Sequence, residues 1–174
     1  GIEKLVDAQV QIIWQTGKGY FDVYKARLSK FDLRRIRVLD FVREMDLAYA
    51  AADVVVSRSG ALAVSEICVA GKPVILVPSP NVAEDHQAKN AKALVSKGAA
   101  ILVLDKEAQA KLVDEALKLL LQDAPLRATM GRNGRAYVNR HYRWSTILSK
   151  YERMFSARQL ASPAARATRG GRWC

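Results

Sequence analysis

Short apolar runs alternate with longer stretches of helical period from the start of the chain to Leu104, and only helical period follows. Residues 9–15, Gln-Val-Gln-Ile-Ile-Trp-Gln, predict a strand, which Thr16-Gly17-Lys18-Gly19 ends as a turn before a helix from about Tyr20 to Lys30. A second strand is predicted over Ile36–Phe41 and a short helix around Met45–Ala51. The β-branched run Asp53-Val54-Val55-Val56 predicts a third strand. Gly60–Ala70 carries helical spacing through Leu62, Val64, Ile67 and Cys68, and Gly71-Lys72-Pro73 supplies the glycine-then-proline stop expected past a helix end. Another strand follows at Val74–Val77 and is broken by Pro78-Ser79-Pro80-Asn81. A helix over Glu84–Lys97 then ends at Gly98, before a strand at Ala100–Leu104. From Glu107 onward three helical pieces are predicted, near 107–122, 124–138 and 144–160.

Nearly continuous apolar strands separated by helices imply a parallel sheet covered on both faces, because only such a sheet buries both sides of each strand. The expected class is therefore α/β, with a Rossmann-like parallel sheet and helices on both faces. Residues 1–160 read as one domain with C-terminal helices. Ala161–Cys174, rich in Ala, Arg and Gly with no periodic apolar face, reads as a disordered or foreign tail.

Composition narrows the classes. With 174 residues, half of them hydrophobic, the chain can bury one substantial core. No apolar run approaches the length of a bilayer span, and no secretory leader follows Gly1, so a fragment of a longer protein is expected. Cys68 and Cys174 stand far apart without a CxxC or His-rich cluster, which argues against a disulfide framework or a zinc site. The net charge of +11 implies attraction to phosphates, anionic lipid or nucleic acid, weakening with salt. The basic residues crowd into 25–43 and 127–153 and are expected to lie on solvated helix faces.

In open parallel sheets ligands bind beyond the carboxyl ends of the strands, where helix N-termini offer free N–H groups to anions. Two junctions have suitable chemistry. Ser57-Arg58-Ser59-Gly60-Ala61 follows the third strand: glycine admits close backbone approach, Arg58 neutralises a diphosphate, and Ser59 either caps the helix or bonds a ligand oxygen. Ser59-Gly60 is equally what an ordinary cap and tight turn require. Glu66, in the second turn of that helix, can accept from two adjacent ribose hydroxyls or be a plain surface glutamate beside Ser65. The second junction gathers Glu84, Asp85, His86, Gln87 and Asn90, groups able to bond a sugar's hydroxyls; Glu84 and Asp85 also suit any helix start through its dipole. His86 has no partner carboxylate or nucleophile at a recognisable spacing, so a sugar or surface contact is expected of it rather than catalysis. Gly17-Lys18-Gly19 lacks the spacing of a phosphate loop, and HExxH and GxSxG are absent.

Taken together, Asp53 to Leu62, Ser65-Glu66, Gly71-Lys72-Pro73 and Val77-Pro78 resemble the MurG family of peptidoglycan N-acetylglucosaminyltransferases. Gln15 to Gly19, Asp40 to Met45, Gln87 through Asn90-Ala91 and Lys97 to Ala100 extend the resemblance in the family's order, over roughly residues 8–155. It implies the C-terminal, UDP-sugar-binding half of a two-domain GT-B enzyme, a hexosyltransferase. That activity is inverting transfer of N-acetylglucosamine from UDP-N-acetylglucosamine to lipid I, making lipid II, without a cofactor or an obligatory metal at the sugar. By position, the resemblance implies that Val42 meets uracil through its backbone and that Arg58 and Gly60, Ala61 and Leu62 border the nucleotide and its phosphates. Glu66 would hold the ribose and Gln87 the sugar, with His86 standing where some members have another glutamine. The N-terminal acceptor domain, with the family's candidate base and membrane patch, has no counterpart here, so the chain alone is expected to bind donor and not to catalyse transfer. The whole enzyme is implied to be peripheral, at the cytoplasmic face of the bacterial inner membrane. Three other readings remain in view. One is the donor-binding subunit of a two-chain transferase acting on a lipid-linked sugar; a second is another two-domain sugar transferase or a UDP-sugar epimerase, for which a different acidic motif is expected in place of Arg58 to Glu66; the third, on charge alone, is a basic nucleic-acid-binding module, for which no recognition motif or stacking platform is present.

Overall fold

Val74, Ile75 and Leu76 are flanked by helix-stopping glycine on one side and proline on the other, and all three are fully buried. They form the central strand of the sheet on which the site is built. The computed structural model describes residues 1–31, 34–80, 85–143, 145–149 and 152–153. Its elements are α1 (Ile2–Asp7), β1 (Ile12–Gln15), α2 (Lys18–Leu28), β2 (Ile36–Leu39), α3 (Met45–Ala51), β3 (Val55–Ser57) and α4 (Ala61–Ala70). β4 (Val74–Leu76), α5 (His86–Val95), β5 (Ile101–Leu102), α6 (Asp105–Gln122) and α7 (Ala124–His141) complete the order.

Among the described residues all strand pairing is parallel, as expected for strands joined by helical crossovers. The five strands form two ladders rather than one: β1 with β2, Ile12 opposite Ile36, and β3-β4-β5, with Val55 opposite Val74 and Ile75 opposite Ile101. Hydrophobic pattern specifies that a segment is a buried strand; which strand lies beside it is set by how the helices pack. The core beneath β4 joins Ile75, Val77 and Val103 to Leu119 of α6 and Met130 of α7, with Val54, Ile101 and Leu112 packed against it. The described residues form two compact units, one ending at Tyr137 and the other beginning at Val138. In the latter, Tyr142 N–H donates to Val138 O and Ile147 N–H to Arg143 O, and residues 145–149 are helical. Of the helix expected over 144–160 only 145–149 and 152–153 are described, and the tail from Ala161 lies outside the described residues.

Several boundaries differ from expectation, three of them with a visible cause. α1 has no counterpart in the periodicity, because six residues carry little pattern and a helix that short needs tertiary support. It packs on α6, where Lys4 Nζ lies 2.5 Å from Asp114 Oδ1. The end of α1 also shortens β1: Ala8, Gln9 and Val10 donate back to Lys4, Val6 and Leu5 carbonyls, and Gln9 turns at φ 55, so the strand starts at Ile12. α2 starts at Lys18 rather than Tyr20, since Gly17 at φ 77 makes the turn by itself.

The basic cluster from residue 127 is only partly a solvated face. Arg127 Nη1 donates to the carbonyls of Leu119 and Leu120 at 2.8 and 2.5 Å, and Arg135 Nη2 to Ala70 O at 3.0 Å. Lys72 Nζ likewise donates to Ala50 O at 3.0 Å. The last carbonyls of a helix have no partner within it, and a long cationic side chain satisfies them with the favourable sign of the helix dipole.

Candidate functional site

Because strands within each sheet are parallel, their carboxyl ends share an edge, and the chain leaves that edge by loops that bear the predicted polar residues. Gln15 ends β1, Val42 follows β2, Arg58 to Leu62 follow β3, Ser79 and Gln87 follow β4, and Asp105 follows β5. The two junctions predicted from sequence are tied to each other. Ser59 Oγ donates to Gln87 O at 2.8 Å, Asn90 Nδ2 donates to Ser59 O at 3.0 Å, and Ser79 N–H donates to Gln87 Oε1 at 2.9 Å. Ser59 is 0% exposed, so its own bonds offset the cost of taking its polar groups out of water, while Gln87 and Asn90 are half-buried.

These bonds correct the expectation for Ser59. Gly60 is the N-cap residue of α4 and no side chain caps it. The Ser59 hydroxyl donates to the Gln87 carbonyl and holds the α4 and α5 starts together instead of capping α4. Asn90, expected among the sugar-facing groups, is turned the same way, onto Ser59 O. Gly60 itself faces open space, since a Cβ there would meet no atom within 4 Å, and Ala61 and Leu62 are exposed in the first helical turn. The first intrahelical bond of α4 is donated by Val64 to Gly60 O, so the earlier N–H groups point outward unpaired within the helix.

Arg58 is exposed but not loose. Its Nη1 donates to Val77 O at 3.2 Å and Pro78 O at 3.3 Å, and lies 2.5 Å from Asp105 Oδ1 at the start of α6. One guanidinium nitrogen therefore anchors the side chain across the ends of β3, β4 and β5, while its remaining donors stay at the surface.

Glu66 lies on the exposed side of α4, with Ile67 and Cys68 buried behind it. Tyr49 of α3 donates from its hydroxyl to Glu66 Oε2 at 3.2 Å. Burial, then the charge and hydrogen bond of Glu66, push the Tyr49 phenol up to about 12. Val42 is buried, and its N–H donates to Gln15 Oε1 at 2.8 Å. Among the residues after β4, Asp85 takes φ 52 as N-cap of α5, and His86 opens the helix at the surface. Glu84 lies outside the described residues. Sequence reasoning singled out neither Tyr49 nor Asp105 and gave Gln15 no role. Each acts on a residue distant along the chain, and only the Asp40 to Met45 and Gln15 to Gly19 strings stood near a signal.

Among the described residues no group of three or more His, Cys, Asp or Glu is placed to hold a metal ion, and no helix is long and apolar enough to cross a membrane. An open groove of about 510 Å³, lined by residues including Trp14, Tyr24 and Phe31, shares no residue with the junctions.

The glycosyltransferase family 28 C-terminal domain matches residues 2–141. This chain belongs to that family. Among proteins similar to this family 28 domain is the UDP-N-acetylglucosamine–N-acetylmuramyl-(pentapeptide) pyrophosphoryl-undecaprenol N-acetylglucosamine transferase of Parabacteroides distasonis. It is 48% identical over 140 residues, covering 80% of this chain and 38% of that protein. The transferase of the same name from Cytophaga hutchinsonii is 52% identical over 124 residues, covering 71% and 32%. The crystal structure of Acinetobacter baumannii MurG is similar with a TM-score of 0.63 at 29% identity, over 73% of this chain and 37% of that one. The family 28 domain thus spans well under half the length of the curated relatives it matches. Its α/β architecture is that of the C-terminal half of a GT-B glycosyltransferase, as the motif resemblance implied.

Proposed function

We propose that this family 28 domain is the donor-binding half of a peptidoglycan N-acetylglucosaminyltransferase and that it binds UDP-N-acetylglucosamine. The observation that carries this reading is the Ser59–Gln87–Asn90 tie, which fuses a diphosphate-type junction and a sugar-type junction into one surface. The diphosphate lies against the first-turn N–H groups of Ala61 and Leu62, where Gly60 admits close approach and the uncommitted donors of Arg58 face the charge. Uracil meets the backbone of Val42. With the amide taken by Gln15, the carbonyl is the group left to accept from the base. Glu66 accepts from the ribose hydroxyls. Gln87, its Oε1 committed to Ser79, donates to the sugar through Nε2, and His86 borders the sugar beside it. Ser59 belongs to the site by shaping the turn.

Residues 1–160 make up this domain in the proposal. A separate N-terminal domain provides the acceptor site, the base and the contact with lipid I, so that the complete protein makes lipid II with inversion at the cytoplasmic face of the bacterial inner membrane. The chain alone lacks the opposing wall, leaves water on the sugar and does not position an acceptor, so no transfer is expected from it. A nucleic-acid-binding reading rests on charge alone, and part of that charge is committed to helix ends.

Isothermal titration tests the proposal directly. The folded chain is expected to bind UDP-N-acetylglucosamine and UDP in preference to a GDP-sugar, and Glu66→Ala to weaken UDP by about tenfold, the scale of losing hydrogen bonds to a charged group. Absence of uridine selectivity, both in the chain and after an N-terminal family domain is joined to it, would falsify the reading.

A further inference from the structure

A carboxylate recognises a ribose only if it is held with its oxygens toward both vicinal hydroxyls, and an exposed glutamate on a helix is free to rotate through several rotamers. Glu66 is not free in this way. Its Oε2 accepts from the Tyr49 hydroxyl at 3.2 Å, and its Oε1 has no partner among the described residues. Tyr49 sits on α3, packed against α4, and α3 is itself pinned, because Lys72 beyond the end of α4 donates to Ala50 O at 3.0 Å. Ser65, the neighbouring polar group, is turned back onto its own helix by donating to Ala61 O at 2.9 Å, so it does not compete for the carboxylate.

We propose that Tyr49 is the positioning residue of the ribose subsite. It orients the Glu66 carboxylate so that Oε1 and the second lone pair of Oε2 accept from the two vicinal hydroxyls of a nucleoside diphosphate. This rests on the assignment of Glu66 to the ribose. An ionised carboxylate only accepts and a phenol donates while protonated, so the pair has one possible sense near neutral pH. The phenol, pushed up to about 12, keeps its proton throughout that range. The same bond takes up one of the four or so lone-pair positions and fixes the plane of the rest, which turns a general hydroxyl acceptor into one that reads a cis-diol.

The test is the preference of the 174-residue chain for UDP over 2′-deoxy-UDP, measured by titration calorimetry, together with the melting temperature of each variant. Wild type is expected to prefer UDP by about tenfold. Tyr49→Phe removes a single oxygen and is expected to reduce that preference to about threefold or less, leaving affinity for 2′-deoxy-UDP nearly unchanged. A purely structural role would lower both affinities together and leave their ratio alone. In a Glu66→Ala background, where the preference should be gone, adding Tyr49→Phe is expected to change nothing more. If wild type and Tyr49→Phe show the same ratio, the role of Tyr49 is overturned while that of Glu66 stands. If wild type shows no preference and Glu66→Ala has no effect on UDP, the ribose assignment fails and this inference falls with it. Tyr49→Leu, read by the same ratio, serves where the Phe variant does not fold.

Discussion

Arg58, Glu66 and Gln87 were legible as single residues because a charged or amide side chain at a strand-to-helix junction, or on an otherwise apolar helix, has no packing reason to be there. Their partners were not. Tyr49 lies 17 residues from Glu66, Gln15 lies 27 from Val42 and Asp105 lies 47 from Arg58, and no local pattern links residues so far apart. Ser59 was visible, but a hydroxyl beside a helix start suits a cap, and only the arrival of α5 gives it the Gln87 carbonyl instead. Two weak acids, the buried Cys68 and the half-buried Tyr49, give this scale a pH signature. Burial raises the Cys68 thiol to about 11, and Tyr49 is raised to about 12. In both cases the native chain retains a proton that the unfolded chain has lost, so stability present below the unfolded values drains away as pH rises. Urea unfolding is expected to give a constant stability to about pH 9 and a decline from there toward pH 12, with Tyr49→Phe removing only the phenol's share, which falls between about pH 10 and pH 12. A profile that is flat across this range would contradict both assignments.

At the scale of elements, the same few signals located nearly every strand and helix, and the misses have a common cause. α1 and the start of β1 depend on docking against α6 and on a backbone reversal at Gln9, neither of which leaves a periodic trace. Helix ends behave similarly: the stop after α4 was visible as Gly71-Lys72-Pro73, but its packing was not. Gly71 adopts φ 68, with Gly71 N–H donating to Cys68 O and Lys72 N–H to Ile67 O, the paired bonds of a left-handed helix stop. α7 comes so close to this turn that a Cβ at Gly131 would lie 2.2 Å from Gly71 O. Gly131→Ala must push backbone from backbone and is expected to cost about 1–3 kcal/mol, the scale of overpacking a core. Ala at Gly134, where the nearest atom would be Cys68 Sγ at 3.5 Å, should cost far less. Denaturant melts of the two variants make the comparison. Equal stability of both would mean that the approach of α7 to this turn is looser than the backbone positions imply.

For the whole molecule, net charge and size pointed to anionic partners and a single core without choosing among them. Family membership chose the class, and the fold showed that some of the cations close helix ends. What remains at the surface still biases binding of a diphosphate, so UDP affinity is expected to fall several-fold as salt rises from about 0.05 to 0.5 M, where screening shortens from over 10 Å to a few Å. Titrations across that range check it. Affinity independent of salt would place the diphosphate away from Arg58 and the basic surface. Sequence by itself determined which segments are buried strands and that they run parallel, and it singled out the junction residues proposed to bind the donor, because these follow from local period, from the crossover helices and from side-chain type. Only the tertiary structure decided that the strands pair as two ladders, that Ser59 joins two junctions, and that Tyr49 holds Glu66. The reason is that each of these is a contact between residues far apart in the chain, and its energy exists only once the helices between them have packed.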